Sequence, residues 1–158
     1  MTSQSPRLVL ILAAAAGSAA LMIAALGFQH IGGLAPCQMC LWQRYPHVVA
    51  IGVGAIALLV PSAGRLLAAI GLLAVLATAA ISGFHAGVEQ GWWEGITACA
   101  AGDITGLSTD DLLNRILEAP IVRCDEILWS LLGLSMAAWN MVISLGLAVL
   151  WWRAVRLA

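Results

Sequence analysis

Four long apolar stretches divide the chain, at residues 8–28, 45–64, 66–88 and 127–152, and no Asp, Glu, Lys or Arg interrupts them except at position 65 between the second and third. Arg7 precedes the first, Arg44 the second, and Glu89 follows the third; Glu126 and Arg153 flank the fourth. A helix needs about 20 residues, rising 1.5 Å each, to cross roughly 30 Å of hydrocarbon. The pattern predicts an all-α membrane protein, a four-transmembrane-helix bundle forming one integral-membrane domain over 1–158. Its spans fall at approximately 8–28, 45–63, 66–86 and 134–152, with outer loops at 29–44 and 87–133. A cleaved signal peptide is the alternative for the first stretch, which is Ala-rich behind a single basic residue. Its apolar run, however, exceeds the 7 to 15 residues of a signal core.

The second outer loop carries its own pattern. From Ser108 to Leu117 a capping Ser or Thr and two acids precede Leu112, Leu113, Ile116 and Leu117, which predicts a short amphipathic helix ended by Pro120. Its apolar face would rest either on the membrane surface or on the top of the bundle. Trp42, Trp92, Trp93, Trp129 and Trp139 gather near the outer ends of the spans and Trp151 and Trp152 near an inner end, as interfacial anchors do.

Composition sharpens the class. Of 158 residues, 62% are apolar and 9% charged, with a mean hydropathy of +0.98; soluble domains carry about 25% charged residues. A soluble globular domain and a disordered chain are both excluded. There is no Lys, and the net charge is -1, so no basic field exists for nucleic acid. All eight acidic residues fall between Glu89 and Glu126. Arg7, Arg65, Arg153 and Arg156 lie at the N-terminus, the 61–65 loop and the C-terminus, which a four-span topology puts on one side. The positive-inside rule makes that side cytoplasmic. Arg44, at the outer boundary, runs against the rule and calls for a reason.

All four cysteines then fall in outward loops, in an oxidising compartment where disulfides persist. Cys37 and Cys40 form a Cys-x-x-Cys, a spacing that lowers a thiol pKa and closes an easily reduced ring. Cys99 and Cys124 would close a loop of about 25 residues, stabilising by roughly 3.5 kcal/mol on chain entropy, so stapling alone could explain them. Structural zinc is the rival for four cysteines, but it usually repeats a C-x2-C knuckle, which Cys99 and Cys124 lack. Spacing alone favours a redox relay between a membrane-soluble and a water-soluble partner and leaves structural disulfides open.

Phe28-Gln29-His30, then Pro36-Cys37-Gln38-Met39-Cys40-Leu41-Trp42-Gln43-Arg44, then Cys124-Asp125-Glu126 followed by Trp129, Leu132-Gly133-Leu134 and Trp139, resemble the DsbB family of bacterial inner-membrane thiol oxidoreductases. The resemblance implies that Cys37 and Cys40 pass electrons to ubiquinone or menaquinone, with Cys40 next to the ring and Arg44 hydrogen-bonding it. It implies that a periplasmic thioredoxin-fold partner, DsbA-like, reduces the Cys99 and Cys124 pair, with Cys99 taking the mixed disulfide. Cys124 would then attack Cys37 and free Cys40 as a thiolate. A family His bearing on quinone reactivity aligns with His85 to within a residue. The resemblance also implies a multi-pass protein of the bacterial inner membrane with cytoplasmic termini and periplasmic cysteine loops.

Physical reasoning bears on several of these residues directly. Arg44 lies one turn beyond Cys40 and on its face if the helix begins near Cys40, and Pro46 then fits only within the first turn. The competing role for Arg44 is an interfacial snorkel. His30 and His47 read as interface residues with satisfied ring nitrogens. Two functions are therefore weighed: a dithiol to quinone oxidoreductase, and a non-enzymatic four-helix membrane protein with stapled outer loops. Transport is disfavoured, because the spans carry no ionisable Asp, Glu, Lys or Arg in their interiors.

Overall fold

A computed structural model describes residues 4–96, 108, 110, 113 and 122–157. Among them are four long helices, α1 (Gln4–His30), α2 (Gln38–Leu59), α3 (Gly64–Glu89) and α4 (Met136–Arg156). A 3-10 turn at Pro61–Ala63 joins α2 to α3, and an antiparallel pair, β1 (Ser130–Leu131) and β2 (Leu134–Ser135), leads into α4. The helices pack as a ring in which α1 meets α2 and α4, and α3 meets the same two from the other side. Three segments are long and apolar enough to cross a membrane: Pro6–His30, Pro61–Glu89 and Met136–Arg156. The second helix is of similar length, but Gln43, Arg44 and His47 dilute its first turns.

That second helix begins seven residues before the span expected at 45–63. Apolar counting does not register a cap, and here Cys37 is the N-cap, its sulfur accepting from the Cys40 amide at 3.3 Å. Pro46 consequently sits inside the helix, not in its first turn as the sequence suggested. A proline there removes one N–H and crowds the carbonyl a turn back. Thr78 on α3 donates to the neighbouring Gln43 carbonyl at 3.0 Å, satisfying backbone in the disturbed turn as neighbouring helices do in membrane proteins. The first outer loop shrinks accordingly to the residues between His30 and Gln38.

Ile11, Val53, Val75, Leu147 and Trp151 lie in the main buried cluster. Small residues let the helices approach: a Cβ added at Gly54 would stand 2.4 Å from the Ala15 Cβ, and one at Gly71 2.5 Å from the Trp151 ring. Trp151 is therefore a core residue, 0% exposed with its indole N–H unpaired, and not the inner anchor its position suggested. Trp152 remains at the surface with the Arg156 guanidinium 5.7 Å from its ring centre.

At the end of the bundle away from the cysteines, Arg7 donates to the carbonyls of Ala154 (3.2 Å) and Leu157, and Arg65 reaches Leu157 at 3.5 Å. These contacts gather the N-terminal segment, the 61–65 loop and the C-terminal segment at one end, as the charge pattern predicted. They also place cations on the unpaired carbonyls of the α4 C-terminus, where the helix dipole favours them.

The strand pair is a departure from the all-α expectation. Its turn residues Leu132 (φ 53°) and Gly133 (φ 80°) are both in the left-handed region, as a two-residue type I′ hairpin requires. Two-residue strands in a uniformly apolar stretch give no alternation to read. Of the helix predicted over 108–117, Asp110 and Leu113 are helical and exposed; the rest lies outside the described residues.

Candidate functional site

The cap that starts α2 also assembles the inner cysteine pair. Cys37 at the N-cap and Cys40 in the first turn are both free, with their sulfurs 3.1 Å apart. Cys37 is buried in a cluster with Met39, Val88 and Cys124, against which Cys40 and Trp42 pack. Cys124 is 1% exposed and disulfide-bonded; Cys99, expected as its partner, lies outside the described residues. The fold thus carries the second outer loop's Cys124 down onto the first loop's pair.

His85, one turn before the end of α3, is 3% exposed and sits at this junction. Its Nε2 lies 3.6 Å from Cys37 Sγ and 3.1 Å from the Cys124 carbonyl oxygen, and its Nδ1 lies 2.8 Å from Gln43 Nε2. Glu89, a turn further on, approaches Nε2 at 3.9 Å and accepts from Ser135 Oγ, the N-cap of α4. His85 therefore touches Cys37 rather than Cys40.

Below His85 a belt of polar side chains ties three helices together. Gln43 Oε1 accepts from Asn140 Nδ2 (3.0 Å) and lies 3.1 Å from Ser82 Oγ, and Asn140 Nδ2 also reaches Ser82 Oγ at 2.7 Å. Asn140 Oδ1 lies 3.0 Å from His47 Nε2. The His47 Nδ1 is buried without a hydrogen-bond partner, so His47 is a core residue with one nitrogen unsatisfied, not the satisfied interface residue predicted. His30 does sit exposed at the end of α1.

A cavity of about 370 Å³ opens beside the pair, with Cys40, Arg44, His47 and His85 on its polar wall and Leu21, Phe28 and Trp129 among its apolar lining. Cys40, Gln43, Arg44 and His47 are spaced as one helix face, and all four line it. Phe28 and Trp129, with ring centres 5.0 Å apart, close one side. Arg44 reaches this cavity, but its hydrogen bond among the described residues is to Gln29 Oε1 of α1 at 2.7 Å and not to Cys40. Sequence reading overlooked Gln43, Glu89 and Asn140; the polar i, i+3, i+4, i+7 spacing at the start of α2 was the available signal. An apolar cavity with a few convergent polar groups has the make-up of a small-molecule site.

The electrostatics select one sulfur. The Cys40 thiol hydrogen-bonding to Cys37, aided by His85 and the Cys40 amide against the cost of burial, brings Cys37 down to about 4. In the free dithiol these contacts favour the thiolate on Cys37; the Cys40 thiolate expected from the sequence belongs to the later state in which Cys37 is bonded to Cys124. At the surface beside Cys124, Arg123 grips Asp125 through Nε (2.9 Å) and Nη2 (2.5 Å), and this guanidinium holds the Asp125 carboxyl below its ordinary value.

Residues 6–154 match the family described as Disulfide bond formation protein DsbB. The chain is 34% identical over 154 residues to "Disulfide bond formation protein B" of Polaromonas sp. (strain JS666 / ATCC BAA-500), covering 91% of this chain and 87% of that protein. It is 35% identical over 149 residues to the protein of that name from Methylococcus capsulatus (strain ATCC 33009 / NCIMB 11132 / Bath), covering 87% and 90%. No solved structure matches it. A family match over nearly the whole chain, membrane-capable helices and a Cys-x-x-Cys pair at the start of a helix agree: the chain belongs to the DsbB family of membrane disulfide-forming oxidoreductases.

Proposed function

We propose that this protein is a protein-dithiol:quinone oxidoreductase of the bacterial inner membrane that reoxidises a DsbA-like, thioredoxin-fold periplasmic protein and passes the electrons to ubiquinone or menaquinone. In this reading α2 is the fourth span, the termini are cytoplasmic and the cysteine loops periplasmic. The arginines at the end away from the cysteines support that orientation. The observation that carries the reading is the burial of Cys37 and Cys124 in one cluster, with Cys37 and Cys40 also lining an apolar cavity.

The exchange steps balance without an outside oxidant until the last. The partner's dithiol reduces the Cys99–Cys124 disulfide and leaves as a disulfide. The Cys124 thiolate attacks Cys37 Sγ; the Cys124–Cys37 bond forms, the Cys37–Cys40 bond breaks, and Cys40 leaves as a thiolate. A quinone, when bound, accepts two electrons and two protons. Arg44 supplies a fixed cationic donor for a carbonyl oxygen, and the apolar walls exclude water. Cys99 then attacks Cys124 Sγ, re-forming the Cys99–Cys124 bond and breaking Cys124–Cys37, and the Cys37 and Cys40 dithiol so released closes to its disulfide as it gives up two electrons and two protons. The cavity fits such a ring: it is apolar, carries the Arg44 guanidinium and adjoins Cys40.

The test is quinone-dependent oxidation of a reduced thioredoxin-fold dithiol by this chain alone in proteoliposomes. Cys40→Ser should abolish electron transfer to quinone. Cys99→Ser and Cys124→Ser should leave Cys37 and Cys40 oxidisable yet fail to oxidise the partner. Equal mild losses in all four single variants would favour structural stapling instead.

A further inference from the structure

The polar belt determines where the protons sit. Ser82 Oγ has two acceptors for its one hydrogen, the Thr78 carbonyl at 2.6 Å and Gln43 Oε1 at 3.1 Å; with the hydrogen on either, the Asn140 atom 2.7 Å from Ser82 Oγ must be the donating Nδ2. Nδ2 also donates to Gln43 Oε1, which fixes the Gln43 amide and turns its Nε2 donor toward His85 Nδ1. His85 Nδ1 must then accept, and the hydrogen of the neutral ring lies on Nε2. That N–H faces two acceptors, Cys37 Sγ at 3.6 Å and the Cys124 carbonyl at 3.1 Å.

We propose that His85 is a positioning residue for thiol exchange: a neutral imidazole whose Nε2–H bridges Cys37 Sγ and the Cys124 carbonyl, docking the second loop on the inner pair and stabilising negative charge on Cys37. The role goes beyond quinone contact and rests on the relay reading above for its kinetic consequence only. Sulfur, imidazole N–H and carbonyl come from α2, α3 and the second loop respectively. Removing the ring would thus loosen the loop and discharge the sulfur together. The belt residues Gln43 and Asn140 act through the ring by holding its tautomer.

The groups facing Cys37 are the Cys40 thiol and its amide from α2, and His85 with Glu89 behind it from α3. Arg44, Arg123 and Glu126 lie around the same cavity. Against that background His85 contributes one donor among several, so its loss should shift the Cys37 profile only in part.

The experiment follows iodoacetamide alkylation of Cys37 against pH by mass spectrometry, on the full chain in detergent with the inner pair reduced. For His85→Phe we expect the midpoint to rise by about one pH unit, the order of a single lost hydrogen bond to a thiolate. Electron transfer from the outer to the inner pair should also slow severalfold, because the Nε2–H that holds the Cys124 carbonyl beside Cys37 is lost and Cys124 is no longer positioned for attack. His85→Gln, which keeps an N–H donor, should recover most of both. The Michaelis constant for quinone with a small soluble dithiol is read in parallel, because His85 also lies on the cavity wall, and any change there should accompany the shift at Cys37 and not replace it. If His85→Phe does not insert stably, Gln43→Met, which releases Nδ1, should move the Cys37 midpoint in the same direction by less.

An unchanged Cys37 profile in a folded His85→Phe protein overturns the proposal, as does a raised quinone Michaelis constant with normal transfer between the pairs. The alkylation readout needs neither quinone nor partner. A shifted profile in a protein that never turns over quinone would retain the His85 contact and reject the oxidoreductase reading, so the two fail separately.

Discussion

The Cys40 thiol, the Cys40 amide and the His85 ring converge on the Cys37 sulfur, and their unequal weight makes the chemistry of the pair asymmetric. The Cys40 thiol is the largest, so Cys40→Ala should raise the Cys37 alkylation midpoint well above its value near 4, whereas Cys40→Ser, keeping a hydroxyl donor, should raise it less. The sign follows from protonation: Cys37 is reactive above its pKa, and reactivity is lost as pH falls through it. Rates of Cys37 modification between pH 3 and 9 measure this directly. Arg44 offers a second residue-level test. Arg44→Lys keeps the charge and loses the planar fork, so the Michaelis constant for quinone should rise severalfold, and Arg44→Ala should raise it by more than tenfold, as the loss of about 1.5–3 kcal/mol from one hydrogen bond to a charged group implies. Quinone kinetics on inserted variants decide it. The cysteines and Arg44 were legible because spacing along one chain reveals them. The meeting of His85 with Cys37 was not, because residues 48 apart in sequence are brought together only by the packing of α2 on α3.

Among the elements, the hairpin before α4 departs furthest from an apolar reading. Its tip holds Leu132 in the left-handed region, 85% exposed, where a side chain with a Cβ costs roughly 1–2 kcal/mol. Leu132→Asn suits that backbone better and should stabilise the protein by about 0.5–1 kcal/mol, read as a small rise in thermal midpoint in detergent. An unchanged or lower midpoint would show that the leucine side chain makes a compensating contact. The hairpin matters because Ser135 at its end both caps α4 and holds Glu89 at the end of α3. Helix existence was readable from the long apolar runs. The start of α2 was not, because a cysteine cap leaves hydropathy unchanged, whereas α4 begins within two residues of the expected 134.

At the scale of the whole bundle, one end gathers arginines and the other gathers thiols, and α3 joins both. Its Gly71 lies flat against Trp151, so Gly71→Val should overpack the core and destabilise by about 1–3 kcal/mol, seen as a lowered thermal midpoint with intact membrane insertion. Little change would mean that the indole has room to move. Charge segregation made the common end of Arg7, Arg65 and the C-terminal segment legible before any coordinates. The polar belt was invisible in composition, since Gln43, Thr78, Ser82 and Asn140 are single polar residues in otherwise apolar helices. Yet a rod of Ala, Leu and Val looks nearly the same whichever way it is turned, and lipid gives little reason to prefer one turn. The belt supplies that reason. Its donors and acceptors match at one rotation of α2, α3 and α4 about their own axes, so the same few amides and hydroxyls act as the index mark by which the helices are phased, and they bring the inner cysteine pair round to face the loop that must reach it.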